Sequence, residues 1–98
     1  MYTFIKNQNS LVVRGELTLN AVGELAATLN DAFKSQNEIV LDLSKLQELS
    51  LSTVMKLAQL QANYATCGKN VVFLGLENAS VRSTFGLTGK RQLLQNAA

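Results

Sequence analysis

The chain has 98 residues, 47% of them hydrophobic and 16% charged, with a formal net charge of +2. A chain of this length holds one hydrophobic core, so residues 1–98 are read as a single domain, and the apolar fraction is too high for disorder. The single cysteine, Cys67, and the absence of histidine exclude an intrachain disulfide, a Cys/His zinc site and nucleophilic catalysis that relies on an imidazole base.

Two short β-favouring runs, residues 3–6 and 11–14, flank the polar stretch Asn7-Gln8-Asn9-Ser10, and together they predict an opening hairpin that ends at Gly15. From Asn20, a good cap, Val22, Leu25, Leu29 and Phe33 recur at helical spacing. Glu24 near the start of this first helix and Lys34 near its end suit the macrodipole. Residues 39–43 then read as a central strand whose only polar member is Asp42.

A second helix is predicted over residues 52–66, with Val54, Leu57, Ala58, Tyr64 and Ala65 along its apolar face, and Gly68 stops it. Val71-Val72-Phe73-Leu74 is a further strand, residues 80–85 a third, shorter helix, and Gln92-Leu93-Leu94 a last ordered piece. Strands alternating with helices predict an α/β layer fold with a mixed or largely parallel sheet of four to five strands and three to four helices.

Little in the chain points to catalysis. A Walker phosphate loop needs a glycine five positions before Gly-Lys, but Asn63 and Thr84 occupy those positions ahead of Lys69 and Lys90. The seven carboxylates form no metal-binding pattern in sequence, and Asp42 reads as a structural acceptor for loop N–H groups. No enzyme activity, cofactor or metal is therefore expected. Lysine and arginine are scattered, which argues against nucleic acid as a partner. No apolar run approaches the ~20 residues that cross a bilayer, and residues 1–6 do not read as an export signal. A cytoplasmic location is the expectation.

The segment with most functional content runs from Ile39 to Thr53. It delivers Ser50, Ser52 and Thr53 to the entrance of the second helix, where unpaired N–H groups and the positive end of the dipole favour a hydroxyl cap or a phosphate. Ser52 is read as either a silent cap or a phosphorylation site.

Three motifs in order extend this reading. Gly15-Glu16-Leu17-Thr18-Leu19 followed by Glu24-Leu25, Ile39-Val40-Leu41-Asp42-Leu43-Ser44, and Val81-Arg82 with Phe85 and Leu87-Thr88-Gly89 together resemble STAS domains, the class that contains bacterial anti-sigma factor antagonists. In the phosphorylated branch of that family the loop before the second helix carries Asp-Ser-Ser-Gly, and a partner kinase modifies the second serine. The resemblance places that motif on Ser50-Leu51-Ser52-Thr53, with Ser52 at the acceptor position and with serine, leucine and threonine replacing the other three residues.

The resemblance implies a non-enzymatic module in transcription control that binds an anti-sigma factor or related serine kinase through the loop at residues 46–52 and the start of the second helix. Ser52 is the phosphorylation candidate, followed by Thr53 and Ser50. Glu48, Ser50, Leu51, Ser52, Thr53 and Met55 are the partner-binding candidates, Leu51 and Met55 being readable as core residues as well. The alternative is an accessory STAS subunit that binds the ATPase of an ABC transporter, such as those of bacterial lipid transport. A third class, binding of a nucleotide or lipid by the same loop, lacks a glycine-rich cradle.

Overall fold

A two-residue turn at Gln8 and Asn9 closes the opening hairpin, Gln8 taking φ 54°. The computed structural model describes residues 2–96. Its strands are β1 (Tyr2–Asn7), β2 (Ser10–Leu17), β3 (Glu38–Asp42), β4 (Leu46–Leu49), β5 (Asn70–Leu74) and β6 (Leu94–Gln95). Its helices are α1 (Val22–Ala32), α2 (Leu51–Ala65) and α3 (Ala79–Leu87). Short 3-10 turns precede α1 at Leu19–Ala21 and β6 at Arg91–Leu93.

The sheet runs β1-β2-β3-β5-β6, with β1 antiparallel to β2 and the other pairings parallel. β4 lies beyond the end of β3 and pairs with the C-terminal half of β2. The α/β class, the opening hairpin and the three helices are as expected from the sequence. The sheet has six strands rather than four to five because β4 and the two-residue β6 extend it.

Period-two burial explains the layering. Leu11 and Val13 of β2, Ile39 and Leu41 of β3, and Val71 and Phe73 of β5 are buried and form one core with Leu25 and Leu29 of α1, Val54 and Leu57 of α2, and Val81 and Phe85 of α3. The ladder puts Leu11, Leu41, Phe73 and Leu94 side by side on this face, while Val12, Val40 and Val72 are half-exposed on the other. Each fully buried Leu, Val or Phe contributes roughly 1.5–3 kcal/mol, so this face carries the fold.

Four local expectations are corrected. β2 does not end at Gly15 but continues to Leu17, because Gly15 adopts φ 89° and the ladder with β4 shifts register there. Asn20 does not cap α1: it lies inside the 3-10 turn, which is held by the Ala21 N–H on the Thr18 carbonyl, and α1 starts at Val22 with no side-chain cap. Lys34 falls beyond the helix, where it pairs with Asp31 at 3.6 Å on the exposed surface. Ala65 is exposed; the inward row of α2 is Thr53, Val54 and Leu57, with Gln61 turned to donate to the Val71 carbonyl at 2.8 Å.

α3 meets the sheet closely at Gly75. Its φ of 147° and the nearness of Val81 Cγ1, 3.2 Å from where a Cβ would stand, leave no room for a side chain.

Candidate functional site

The sequence order strand, hydroxyls, helix becomes a built corner at the end of β4. Residues 46–49 are not loop, as expected, but strand: Gly15 faces Leu46, Glu16 faces Glu48 and Leu17 faces Leu49. Gln47 is the extra residue of the bulge, which turns both Leu46 and Leu49 inward and leaves Gln47 and Glu48 exposed. The chain therefore enters α2 from a paired strand, and the position of the hydroxyl cluster is fixed by the sheet.

The cap residue of α3 and one residue within the helix contact that strand. Asn78 Nδ2 donates to the carbonyls of Ser44 and Leu46, each at 2.9 Å, while its Oδ1 accepts from the amides of Ser80 and Val81 at 3.0 and 3.2 Å. It caps α3 and ties it to the start of β4 with one side chain. The Thr84 hydroxyl shares its one proton between the Ser80 carbonyl of its own helix at 3.0 Å and the Leu49 carbonyl at 3.2 Å, and so adds a weaker contact at the other end of β4. Asp42 has the expected structural role: Oδ1 accepts from the Ser44 amide at 2.9 Å and the Ser44 hydroxyl at 2.6 Å, closing the turn between β3 and β4.

At the entrance to α2 the cap is Ser50, not Ser52. Ser50 has extended backbone, and its Oγ accepts the Thr53 N–H at 3.2 Å. The same Oγ is 2.6 Å from the Thr53 hydroxyl and 3.2 Å from the Ser52 hydroxyl. Ser52 is exposed in the first turn, where the helix dipole favours a negative group by roughly 0.3–1 kcal/mol. Thr53 is 0% exposed, its hydroxyl turned into the protein, so its side chain offers a partner neither a contact nor an acceptor. Ser50 and Ser52 are the hydroxyls open to solvent here.

Leu51 and Met55 lie one turn apart on α2 and are 50% and 51% exposed, which resolves their two readings: neither is core. Leu19, also 50% exposed, sits in the 3-10 turn that packs against α2. Beside this edge opens a cavity of about 400 Å³, lined by Glu16, Thr18, Glu48, Ser50 and Ser80 together with Leu17 and Leu49. Of these, Glu48 and Ser50 are among the residues singled out from sequence. Glu16 and Thr18 were legible only as part of the Gly15–Leu19 motif, and Ser80 carries no signal apart from the turn that brings α3 beside β4.

No cluster of three or more metal-ligating side chains occurs among the described residues, and no helix there is long and apolar enough to cross a membrane. Cys67 is an exposed, free thiol just past α2.

No curated protein sequence matches the chain. Among solved structures it is similar to the anti-sigma factor antagonist SpoIIAA in its unphosphorylated form, with 19% identity, a TM-score of 0.73, and coverage of 100% of this chain and 89% of that one. The phosphorylated form of SpoIIAA, described as a Bacillus cell fate determinant, is 17% identical with a TM-score of 0.66, covering 100% of this chain and 92% of that one. An anti-sigma factor antagonist from Mycobacterium paratuberculosis is 19% identical with the same TM-score, covering 100% of this chain and 86% of that one. These likenesses are of fold. At the level of sequence, residues 2–95 match the family model described as "Mlab, STAS domain", and the chain belongs to that family of STAS domains.

Proposed function

We propose that this chain is a non-enzymatic regulatory subunit that docks on a partner protein through the N-terminal end of α2, and that the partner is the ATPase of an ABC transporter, bound constitutively. The observation that carries the docking surface is the pair Leu51 and Met55, half-exposed on one helical face beside the hydroxyls of Ser50 and Ser52. Apolar side chains rimmed by small polar groups are the composition of a protein interface core with its rim. Glu48 at the neighbouring strand edge adds a charge to that rim.

The constitutive form of the reading rests on the first turn of α2. Ser50 stands where the phosphorylated relatives carry aspartate, and it is occupied as the helix cap; Thr53 stands in place of glycine with its hydroxyl buried. A kinase substrate of that branch would present a carboxylate beside the acceptor. Here, among the described residues, Ser52 has the Ser50 hydroxyl as its hydrogen-bond partner. The match of residues 2–95 to the STAS family model described as "Mlab, STAS domain" supports the interaction module on which this reading rests.

A second reading, antagonism of an anti-sigma factor with Ser52 as the phosphorylated residue, is supported by the likeness to the SpoIIAA structures and by the exposure of Ser52. Phosphate on Ser52 would be tolerated by the isolated helix and would act at the interface. Affinity purification from the native cell, followed by mass spectrometry of both proteins, separates the two. The expected result is an ABC ATPase with Ser52 unmodified. Recovery of a histidine-kinase-like anti-sigma factor, with phosphate on Ser52, would overturn the first reading in favour of the second.

A further inference from the structure

We propose that the β1 edge of the sheet is a self-association site, pairing antiparallel with β1 of a second copy of this chain about a twofold axis through Phe4. The inference is independent of the α2 surface.

The two ends of the sheet differ. β6 is two residues long, whereas β1 is a regular six-residue strand in unbroken register with β2, from Tyr2 opposite Gly15 to Asn7 opposite Ser10. Long edge strands are commonly protected by proline, a bulge or several charges. The chain contains no proline, the β1 ladder has no bulge, and Lys6 is the one charged residue of the strand.

The register of such a pair follows from the hairpin. A two-residue turn makes the flanking pair, Asn7 and Ser10, a hydrogen-bonded one, and the alternation of antiparallel pairing then points the N–H and C=O of Thr3, Ile5 and Asn7 at β2. Those of Tyr2, Phe4 and Lys6 point outward to the open edge. A twofold axis through Phe4 sets Phe4 against Phe4 of the second copy and Tyr2 against Lys6, and all three outward residues pair, giving about six new backbone hydrogen bonds. Centring the axis on Ile5 would use only Phe4 and Lys6 and form about four.

Charge complementarity selects a second copy over other extended chains. On the helix-facing side of the sheet the Tyr2 hydroxyl donates to the Glu24 carboxylate of α1, and Glu24 is exposed. Lys6 shares that side with Tyr2 and makes no ion pair among the described residues. In the Phe4-centred pair the Lys6 ammonium of each copy lies over the Tyr2 ring and Glu24 of the other, so the same cation-to-carboxylate contact forms twice. The Tyr2 and Phe4 rings, with centroids 5.0 Å apart within one copy, become a continuous row across both.

Sedimentation velocity on the purified chain from about 10 μM to 1 mM, with amide hydrogen exchange at both ends of the range, tests this. Expected are a concentration-dependent dimer and slowed exchange at Tyr2, Phe4 and Lys6 in the dimer. Lys6→Glu should weaken dimerisation about tenfold or more by opposing like charges, and Lys6→Glu combined with Glu24→Lys should restore it. A chain that stays monomeric at 1 mM overturns the proposal. So does a dimer indifferent to Lys6→Glu, or one not rescued by the double exchange. Protection of the β1 amides only when another protein is added, with this chain still monomeric, would also overturn it and assign the edge to a strand from that partner.

Discussion

Ser50 and Thr53 hold each other through two contacts: the Ser50 hydroxyl accepts the Thr53 N–H at 3.2 Å and lies 2.6 Å from the Thr53 hydroxyl, which is completely buried. The pair closes the first turn of α2 and sets the direction in which Leu51 and Ser52 face solvent. Ser50→Ala removes the cap and leaves a buried hydroxyl short of a partner. The expected loss is about 1–3 kcal/mol of stability, read as a lower urea midpoint with an unchanged slope. A midpoint within error of the parent chain would refute the role given to this pair.

Asn78 separates capping from tethering. Asn78→Asp retains an acceptor for the amides of Ser80 and Val81 but places a carboxylate against the carbonyls of Ser44 and Leu46. It should therefore cost about 2–4 kcal/mol although aspartate caps helices as well as asparagine does. Hydrogen exchange should quicken in β4 more than in β3. Uniform quickening across the sheet would mean that Asn78 does not hold β4 in particular.

Leu51 and Met55 are exposed, so Leu51→Ala and Met55→Ala should change stability by no more than about 0.5 kcal/mol. If they are anchors, each should lower affinity for the native partner about tenfold or more, measured by titration calorimetry. Unchanged affinity in both variants would move the interface elsewhere on the molecule.

Ser52→Asp adds a charge where the helix accepts it, so the domain should stay folded. Repulsion and desolvation at a buried interface should weaken partner binding about a hundredfold, equivalent to ~3 kcal/mol. Parent-like affinity in this variant would show that the first turn of α2 is not covered in the complex.

Alkaline pH should destabilise the fold through tyrosine. Burial raises the Tyr64 pKa above its ordinary value of 10.0, and the hydrogen bond to Glu24, with smaller contributions from burial and from the carboxylate charge, raises that of Tyr2. A raised folded-state pKa means the native chain holds the phenol proton more tightly than the unfolded one. The associated stability is fully present below pH 10 and is lost as pH rises through the folded-state values. Urea midpoints should hold between pH 8 and 9.5 and fall toward pH 11, with a shallower fall in Tyr64→Phe. An identical alkaline slope in that variant would refute the contribution of Tyr64.

The elements legible in the sequence were those whose pattern is local. Val22, Leu25 and Leu29 at helical spacing, and the buried runs at residues 39–43 and 71–74, announce themselves because side-chain periodicity follows directly from backbone geometry. β4 stayed hidden for the opposite reason. The bulge at Gln47 puts two inward leucines three positions apart, a spacing without strand period, and only pairing with β2 makes residues 46–49 a strand. Residue type alone does not separate Ser50 from Ser52 as the cap of α2, because the two are chemically equivalent caps, and their backbone angles, set by where β4 ends, decide between them.

By itself the sequence determined the α/β layering, the absence of imidazole chemistry and the family motifs, since each depends on residue identity and short-range spacing. The tertiary structure decided which hydroxyl is free and which is buried, that Leu51 and Met55 face outward, and that Glu16, Glu48 and Ser80 border one cavity. Those relations depend on long-range contacts, namely β4 on β2 and α3 on β4 through Asn78 and Thr84, which no local stretch of the chain encodes.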